Sequence, residues 1–359
     1  MFVSFKLSRT LIIIVIIITI LLSTTVNFIR NTSIQTDGDG HGFLAASDSA
    51  DSEKKDFIKW VDFKLTSKAM EKAMKLDIES INNSTHLNWI ELLAVLATKY
   101  GGDFSSFKEK DLTDLAKRLE NGEKIEDITR DMKYYSYYYE AYNAVLGEFL
   151  GKYTVQQPDE KDKEKLVWTE KYGLKAFSPI AKGYGYSHYD DFGASRSYGY
   201  KRKHLGHDMM GNIGTPIVAI ESGIVEAIGW NQYGGWRIGI RSFDKKRYYY
   251  YAHLRKDHPY PEDLSQGHIV KAGEVIGYLG MTGYSSRENV NNIDTPHLHM
   301  GIQLIFDESQ KDGNGEIWID CYEIVKFLSK NSSAVVRDEQ SGEYYRKFDF
   351  FEASVENTE

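Results

Sequence analysis

Six residues in the second half of the chain have types and spacings suited to chemistry. They fall in three short runs: His204-Leu205-Gly206-His207-Asp208, Tyr251-Ala252-His253-Leu254 and Pro296-His297-Leu298-His299-Met300. In a β-strand, residues i and i+2 project from the same face, so His297 and His299 look into one space. His204 and Asp208 are four apart around Gly206, a spacing that a turn can fold until both side chains converge. Imidazole nitrogen and carboxylate oxygen are both good zinc donors, and three protein donors with a fourth place open is the pattern of a catalytic zinc site. His207 adjoins Asp208; sequence neighbours rarely reach one ion together, so it is read as a neighbour of the site or a surface residue. His41, His86, His188, His258 and His268 have no such constellation and are read as ordinary polar residues. Each run alone is a weak signal, because short matches recur by chance. Together, in this order, they are specific.

The elements around these runs are short and punctuated by glycine. Ile217-Val218-Ala219-Ile220, Gly223 to Ile228, Arg237 to Ile240, Arg247 to His253, Val275 to Tyr278 and His297 to Ile305 read as strands separated by turns, with a short helix from Tyr322 to Leu328. Closely spaced strands imply a mainly antiparallel sheet, folded as a sandwich or barrel. Residues 56–155 instead carry helical signals. Asn88 caps a segment that Gly101-Gly102 ends, Leu112, Leu115, Ala116 and Leu119 share one face, and a third helix is expected from Ile128 to Leu150. Its tyrosines, Tyr134 to Tyr142, cover several faces of one helix and are read as packing.

The fold class expected is therefore α+β and multidomain. An N-terminal transmembrane anchor or signal occupies 1–30, a flexible linker 31–55 and an all-helical module 56–155. A charged linker, 156–166, leads into the β catalytic domain, 167–330, and a C-terminal tail closes the chain, 331–359. That tail either frays or adds a strand near Tyr344 to Phe351. The apolar run from Leu11 to Ile29 is long enough to span a bilayer, and Lys6 and Arg9 before it stay cytoplasmic, which places the chain beyond Arg30 outside.

Composition narrows the function. At 359 residues with 42% hydrophobic and 27% charged residues, the chain is globular and large enough for two cores. Its net charge of -8 excludes a nucleic-acid surface, which needs basic charge to neutralise phosphate. The single cysteine, Cys321, leaves no intramolecular disulfide, so packing or metal must supply the stability.

The three runs, with Gly214-Thr215-Pro216-Ile217, Gly223-Ile224-Val225, Tyr233-Gly234-Gly235, Val270-Lys271-Ala272-Gly273 and Gly280-Met281-Thr282-Gly283 between or beside them, resemble the lysostaphin/LytM-type zinc endopeptidases. Members of that family cleave peptide bonds in bacterial cell-wall peptidoglycan. The resemblance does not reach the helical module. It implies one zinc ion held by His204, Asp208 and His299, with His253 and His297 as the catalytic, non-ligand histidines. Tyr198, Gly234 and Gly235 become contacts for substrate or oxyanion, with Tyr233-Gly234-Gly235 an exposed turn that leaves room for an extended peptide. The function implied is a zinc-dependent endopeptidase acting on stem peptide or crossbridge; a catalytically silent, wall-bound scaffold of the same fold is the alternative. Its partners would be peptidoglycan peptides and, through the N-terminal helix, the membrane. The expected location is the bacterial cell membrane, single-pass with the catalytic domain outside, or the cell wall if the N-terminus is cleaved. Ser285 to Asp294 is longer than in compact members, and such a loop either narrows a groove or closes over it.

Overall fold

The computed structural model describes residues 33–36, 42–45, 57–198 and 201–356. The expected anchor, 1–30, lies outside the described residues, and among those described no helix is long and apolar enough to cross a membrane. The chain divides into two units, Met1–Asp56 and Phe57–Glu359. In the first, where an unstructured linker is expected, Ser33–Thr36 pairs antiparallel with Gly42–Ala45.

The second unit opens with helices Ser67–Ser80, Trp89–Tyr100, Glu109–Glu120, Ile125–Thr129 and Tyr135–Leu146. Asn88 Oδ1 accepts from the Ile90 and Glu91 amides, and Gly101, at φ 62°, ends that helix in the left-handed conformation that glycine adopts freely. The helix expected over 128–150 is instead two helices followed by a strand. Arg130, Asp131, Lys133 and Tyr134 are all exposed, so no apolar stripe continues across the break. The tyrosines do pack: Tyr138 lies on the buried Tyr142, and Tyr135 stacks on Tyr139.

The expected linker at 156–166 is the end of a long hairpin. Leu150–Pro158 pairs along its whole length with Leu166–Leu174. Asp159 turns the chain by accepting from the Lys161 and Asp162 amides, so the charged run is solvated because it is a tip. Phe350–Phe351 adds a third strand to this hairpin, and Tyr344–Arg346 pairs with Val335–Arg337, so the C-terminal stretch adds strands.

Helices and sheet also share a core. Arg247, fully buried on a sheet strand, forms a bidentate pair with Glu221 and donates Nη1 to the Ala144 carbonyl at the end of the last module helix. Asp77 receives the Trp89 amide inside the module and the Tyr172 hydroxyl from the hairpin. Glu323, on the helix Tyr322–Leu328, accepts from the Ser67 amide.

The main sheet is antiparallel throughout. Its strands run in the order Ile269–Val270, Gly223–Asn231, Gly235–Ser242, Arg247–Ala252, His297–Leu304, His207–Gly211 and Tyr186–Tyr189, with Ile317–Ile319 also pairing with His297–Leu304. Aromatic and β-branched residues fill these strands, as a pleated, mostly buried surface favours. Met209, Ile238, Ile240, Tyr249, Tyr251, Leu298 and Met300 are all buried in the core.

Candidate metal centre

Strand register assembles the site. His207–Gly211 lies antiparallel to His297–Leu304 with Asp208 directly opposite His299. On the other side of the same strand, Ala252 is opposite His299, and His253 is the next residue along. Three elements remote in sequence thus deliver Asp208, His299 and His253 to one face.

His204 stands just before its strand. Its Nε2 lies 3.0 Å from Asp208 Oδ1 and 2.9 Å from His299 Nδ1, and His299 Nδ1 lies 2.9 Å from Asp208 Oδ1. These three atoms form a group able to hold a metal. Gly206 makes the approach possible. A Cβ there would come within 2.5 Å of His299 Cε1 and 2.8 Å of the Met300 carbonyl oxygen.

The charge pattern of the triangle fits a cation. His204 Nδ1 lies 2.7 Å from the Asp191 carboxylate, a neighbour that favours hydrogen on Nδ1 and a lone pair on Nε2. Nε2 lies 3.0 Å from an Asp208 oxygen, and a divalent ion between them would draw a ligand atom from each. Two imidazoles and one carboxylate are a donor set that suits zinc with a place left open. Burial alone would raise the Asp208 carboxyl, but the imidazoles of His204 and His299 overcome that and hold it well below the usual carboxylate range. Burial pushes His299 down to about 4 against the pull of Asp208, so it is neutral and ready to ligate at pH 7.

His253 and His297 flank the triangle, with their rings 4.8 Å apart. Nδ1 of His253 is 2.8 Å from the Thr282 carbonyl and Nδ1 of His297 is 2.7 Å from the Thr295 carbonyl. A carbonyl only accepts, so both Nδ1 atoms carry hydrogen and both Nε2 atoms present lone pairs when the rings are neutral. Burial, with His297 and His299 adding to it, pushes His253 far below the ordinary histidine value, so it stays neutral. His297 Nε2 is 3.7 Å from Asp208 Oδ1. The backbone at His253 is in the left-handed region, φ 60°, a conformation worth about 1–3 kcal/mol of strain for such a residue. Its amide donates to the Gly234 carbonyl at 2.7 Å, which helps hold it there.

Other expectations are corrected. Tyr233-Gly234-Gly235 is buried, not an exposed turn, and the Gly234 amide is taken by Asn231 Oδ1 at 2.5 Å, so it is not free for an oxyanion. These glycines make room for protein: a Cβ at Gly234 would overlap the Tyr250 hydroxyl, and one at Gly235 the Thr282 backbone. His207 is neither a ligand nor a surface residue. Alternation along its strand turns it away from Asp208 to the other face, where it is buried against Tyr322 and bonded to His188. The Ser285 to Asp294 loop is pinned: Asn289 accepts from Trp236 Nε1 and the Asp257 amide and donates to the Asp257 carboxylate.

Tyr198 is exposed and stacks on Tyr284, whose ring meets His253 edge-on at 5.9 Å. Arg202 lies over the rings of Tyr233 and Tyr284. Tyr198 was named from the sequence; Tyr284 and Arg202 beside it, and the pair Asp191 and Arg196, were missed because they sit in turns and two-residue strands that carry no periodicity.

Residues 202–312 match the model described as Peptidase family M23. The chain is 38% identical over 130 residues to the L-Ala--D-Glu endopeptidase of Bacillus subtilis, covering 36% of this chain and 38% of that protein. It is 36% identical over 132 residues to lysostaphin of Staphylococcus simulans, covering 36% of this chain and 23% of that one. Among solved structures, the catalytic domain of that lysostaphin is 33% identical, covering 39% of this chain and 92% of the domain, at a TM-score of 0.30. The chain thus spans well under half the length of both curated relatives.

Proposed function

We propose, from the premise that residues 202–312 are a peptidase family M23 domain, that this protein is a zinc-dependent endopeptidase cutting peptide bonds of bacterial peptidoglycan. The observation that carries the reading is the triangle of potential ligand atoms from His204, Asp208 and His299, faced by His253 and His297, whose Nδ1 atoms are tied to backbone carbonyls. The relatives supply the substrate class, since one is named an L-Ala--D-Glu endopeptidase and another lysostaphin. We read the chain as anchored at the cell membrane by Leu11 to Ile29 with its catalytic part outside.

His204, Asp208 and His299 would hold the zinc. When bound, zinc polarises a carbonyl as a Lewis acid and lowers the pKa of water to about 7. His253 and His297 hold the proton traffic. Each can accept the proton of the attacking water at Nε2 and return it to the leaving amine, while its Nδ1–H stays tied to a backbone carbonyl. The wall of Tyr198 and Tyr284 offers flat faces on which an extended peptide rests. A silent scaffold of the same fold has no need of all five site residues, and all five converge here.

Purified full-length chain, incubated with peptidoglycan of defined stem and crossbridge, should release fragments that mass spectrometry assigns to one bond. A chelator should stop the release and zinc restore it. Undiminished release from protein stripped of metal would sink the proposal.

A further inference from the structure

The triangle of donor atoms is braced from a segment that lies ahead of residues 202–312. Asp191 Oδ1 and His204 Nδ1 are both buried and lie 2.7 Å apart at ion-pair distance, and neither atom has a hydrogen-bond partner. The second Asp191 oxygen is 2.6 Å from Arg196 Nη1, and the other guanidinium nitrogen, Nη2, is 3.3 Å from Asp208 Oδ2. Arg196 therefore bridges the carboxylate that orients one ligand and the unused oxygen of another.

The backbone fixes this bridge in place. The Gly193 amide donates to the His204 carbonyl at 2.7 Å, and the His204 amide donates to the Ala194 carbonyl at 2.8 Å. Ser195–Arg196 then pairs with Arg202–Lys203, closing a small hairpin whose far end carries Tyr198. These backbone bonds and the strand pairing hold Asp191 and Arg196 against His204 and Asp208.

We propose that Asp191 and Arg196 are a pair of positioning residues for the metal. Asp191 fixes His204 with hydrogen on Nδ1, so that Nε2 faces the ion, and Arg196 occupies Asp208 Oδ2, so that Asp208 ligates through Oδ1 alone. Single-oxygen ligation keeps the fourth place open, and a carboxylate behind a ligating imidazole raises its basicity. Without Arg196, Asp208 would swing to bring both oxygens to the ion, and the two carboxylates would repel. The inference rests on the zinc reading of the site.

The test uses the full chain and reads the metal, not turnover. Zinc affinity, measured by competition with a chromophoric chelator, should fall about 10–100-fold in Asp191→Ala. Asp191→Asn, whose amide oxygen still accepts from Nδ1, should recover part of that loss, an order that a merely space-filling residue would not produce. In Arg196→Gln loaded with cobalt(II), the intense visible bands of four-coordinate metal should give way to the weaker bands of a higher coordination number. Arg196→Lys, which keeps a charge, should lie between. Affinity within about threefold of wild type in Asp191→Ala, or an unchanged cobalt spectrum in Arg196→Gln, would overturn the corresponding half of the proposal. Wild-type protein that takes up neither metal would overturn the zinc reading and this one with it, an outcome distinct from variants that bind as wild type does.

Discussion

Asp208 and His299 stand directly opposite each other on neighbouring antiparallel strands, with Oδ1 and Nδ1 2.9 Å apart. Sheet register, and not a flexible loop, sets the spacing between these two donors. A ligand that binds only the folded state stabilises it by about 4 kcal/mol at 1,000 times its dissociation constant. Zinc should therefore raise the unfolding midpoint of the wild-type chain and leave that of Asp208→Asn or His299→Ala unmoved. A midpoint that responds equally in all three would place the metal elsewhere.

His253 and His297 sit beside the triangle without belonging to it. His253→Ala and His297→Ala should keep one zinc ion per chain while turnover drops about 10²–10⁴-fold, the usual worth of a proton-transfer group. Metal analysis and fragment release on the same samples separate the two effects. Loss of zinc from either variant would make that histidine a ligand.

At Gly206 the effect of a single methyl group can be foreseen. Its Cβ would meet His299 Cε1 at 2.5 Å and Nε2 at 2.6 Å, beside backbone that cannot yield. Gly206→Ala should displace the imidazole and cost the metal site most of its affinity, while the sheet still folds. Titration of zinc into the variant, with its circular dichroism as a check on folding, reads both.

Much of this site could be read from residue spacing. His297-Leu298-His299 alternates as a strand does, and the expected strands Val275 to Tyr278 and His297 to Ile305 lie within a residue of those observed. Local rules sufficed there because one period governs the whole run. They failed where two segments decide together. The charged run near Glu160 looks like a linker because nothing local says that Leu150–Pro158 and Leu166–Leu174 will pair around it. Asp191 and Arg196 acquire meaning only when the hairpin brings them to His204 and Asp208. Nothing local to the strand that Arg247 opens says that Glu221 and Ala144 will close over it.

His207 makes stability depend on pH. Burial, with His188 beside it, pushes its pKa down to about 4. Between about 6.5 and about 4 the unfolded chain binds a proton at this residue that the folded chain refuses. Stability is therefore complete above about 6.5 and falls as pH drops, by about 1.4 kcal/mol per unit for this one group. Metal-free His299 adds a similar slope. Urea unfolding in excess chelator from pH 7 to 4.5 should show His207→Leu losing about 1.4 kcal/mol per unit less than wild type. Parallel curves would mean that His207 takes up its proton in the folded chain as readily as in the unfolded one.

Arg247 and Glu221 tie the helical part to the sheet that carries the site. Arg247 is fully buried, its guanidinium bonded to both Glu221 oxygens and, across to the helices, to the Ala144 carbonyl. Tyr249 adds its hydroxyl to the same carboxylate at 2.5 Å. Removing one partner of a buried pair strands a charge and costs about 3–5 kcal/mol, whereas replacing both with apolar side chains of similar volume is close to neutral. Arg247→Met should thus lower stability by about that amount in urea unfolding, and adding Glu221→Leu should restore most of it. Both variants take the donor from the Ala144 carbonyl and the Asp244 carboxylate, and the double variant also strands the Tyr249 hydroxyl, so the part not restored measures these contacts together. If the double variant is as unstable as Arg247→Met, the stability lies in those contacts and not in the Arg247–Glu221 pair. Two separate unfolding transitions in the single variant, helices at one urea concentration and strands at another, would show in addition that this arginine is what makes the two parts unfold together.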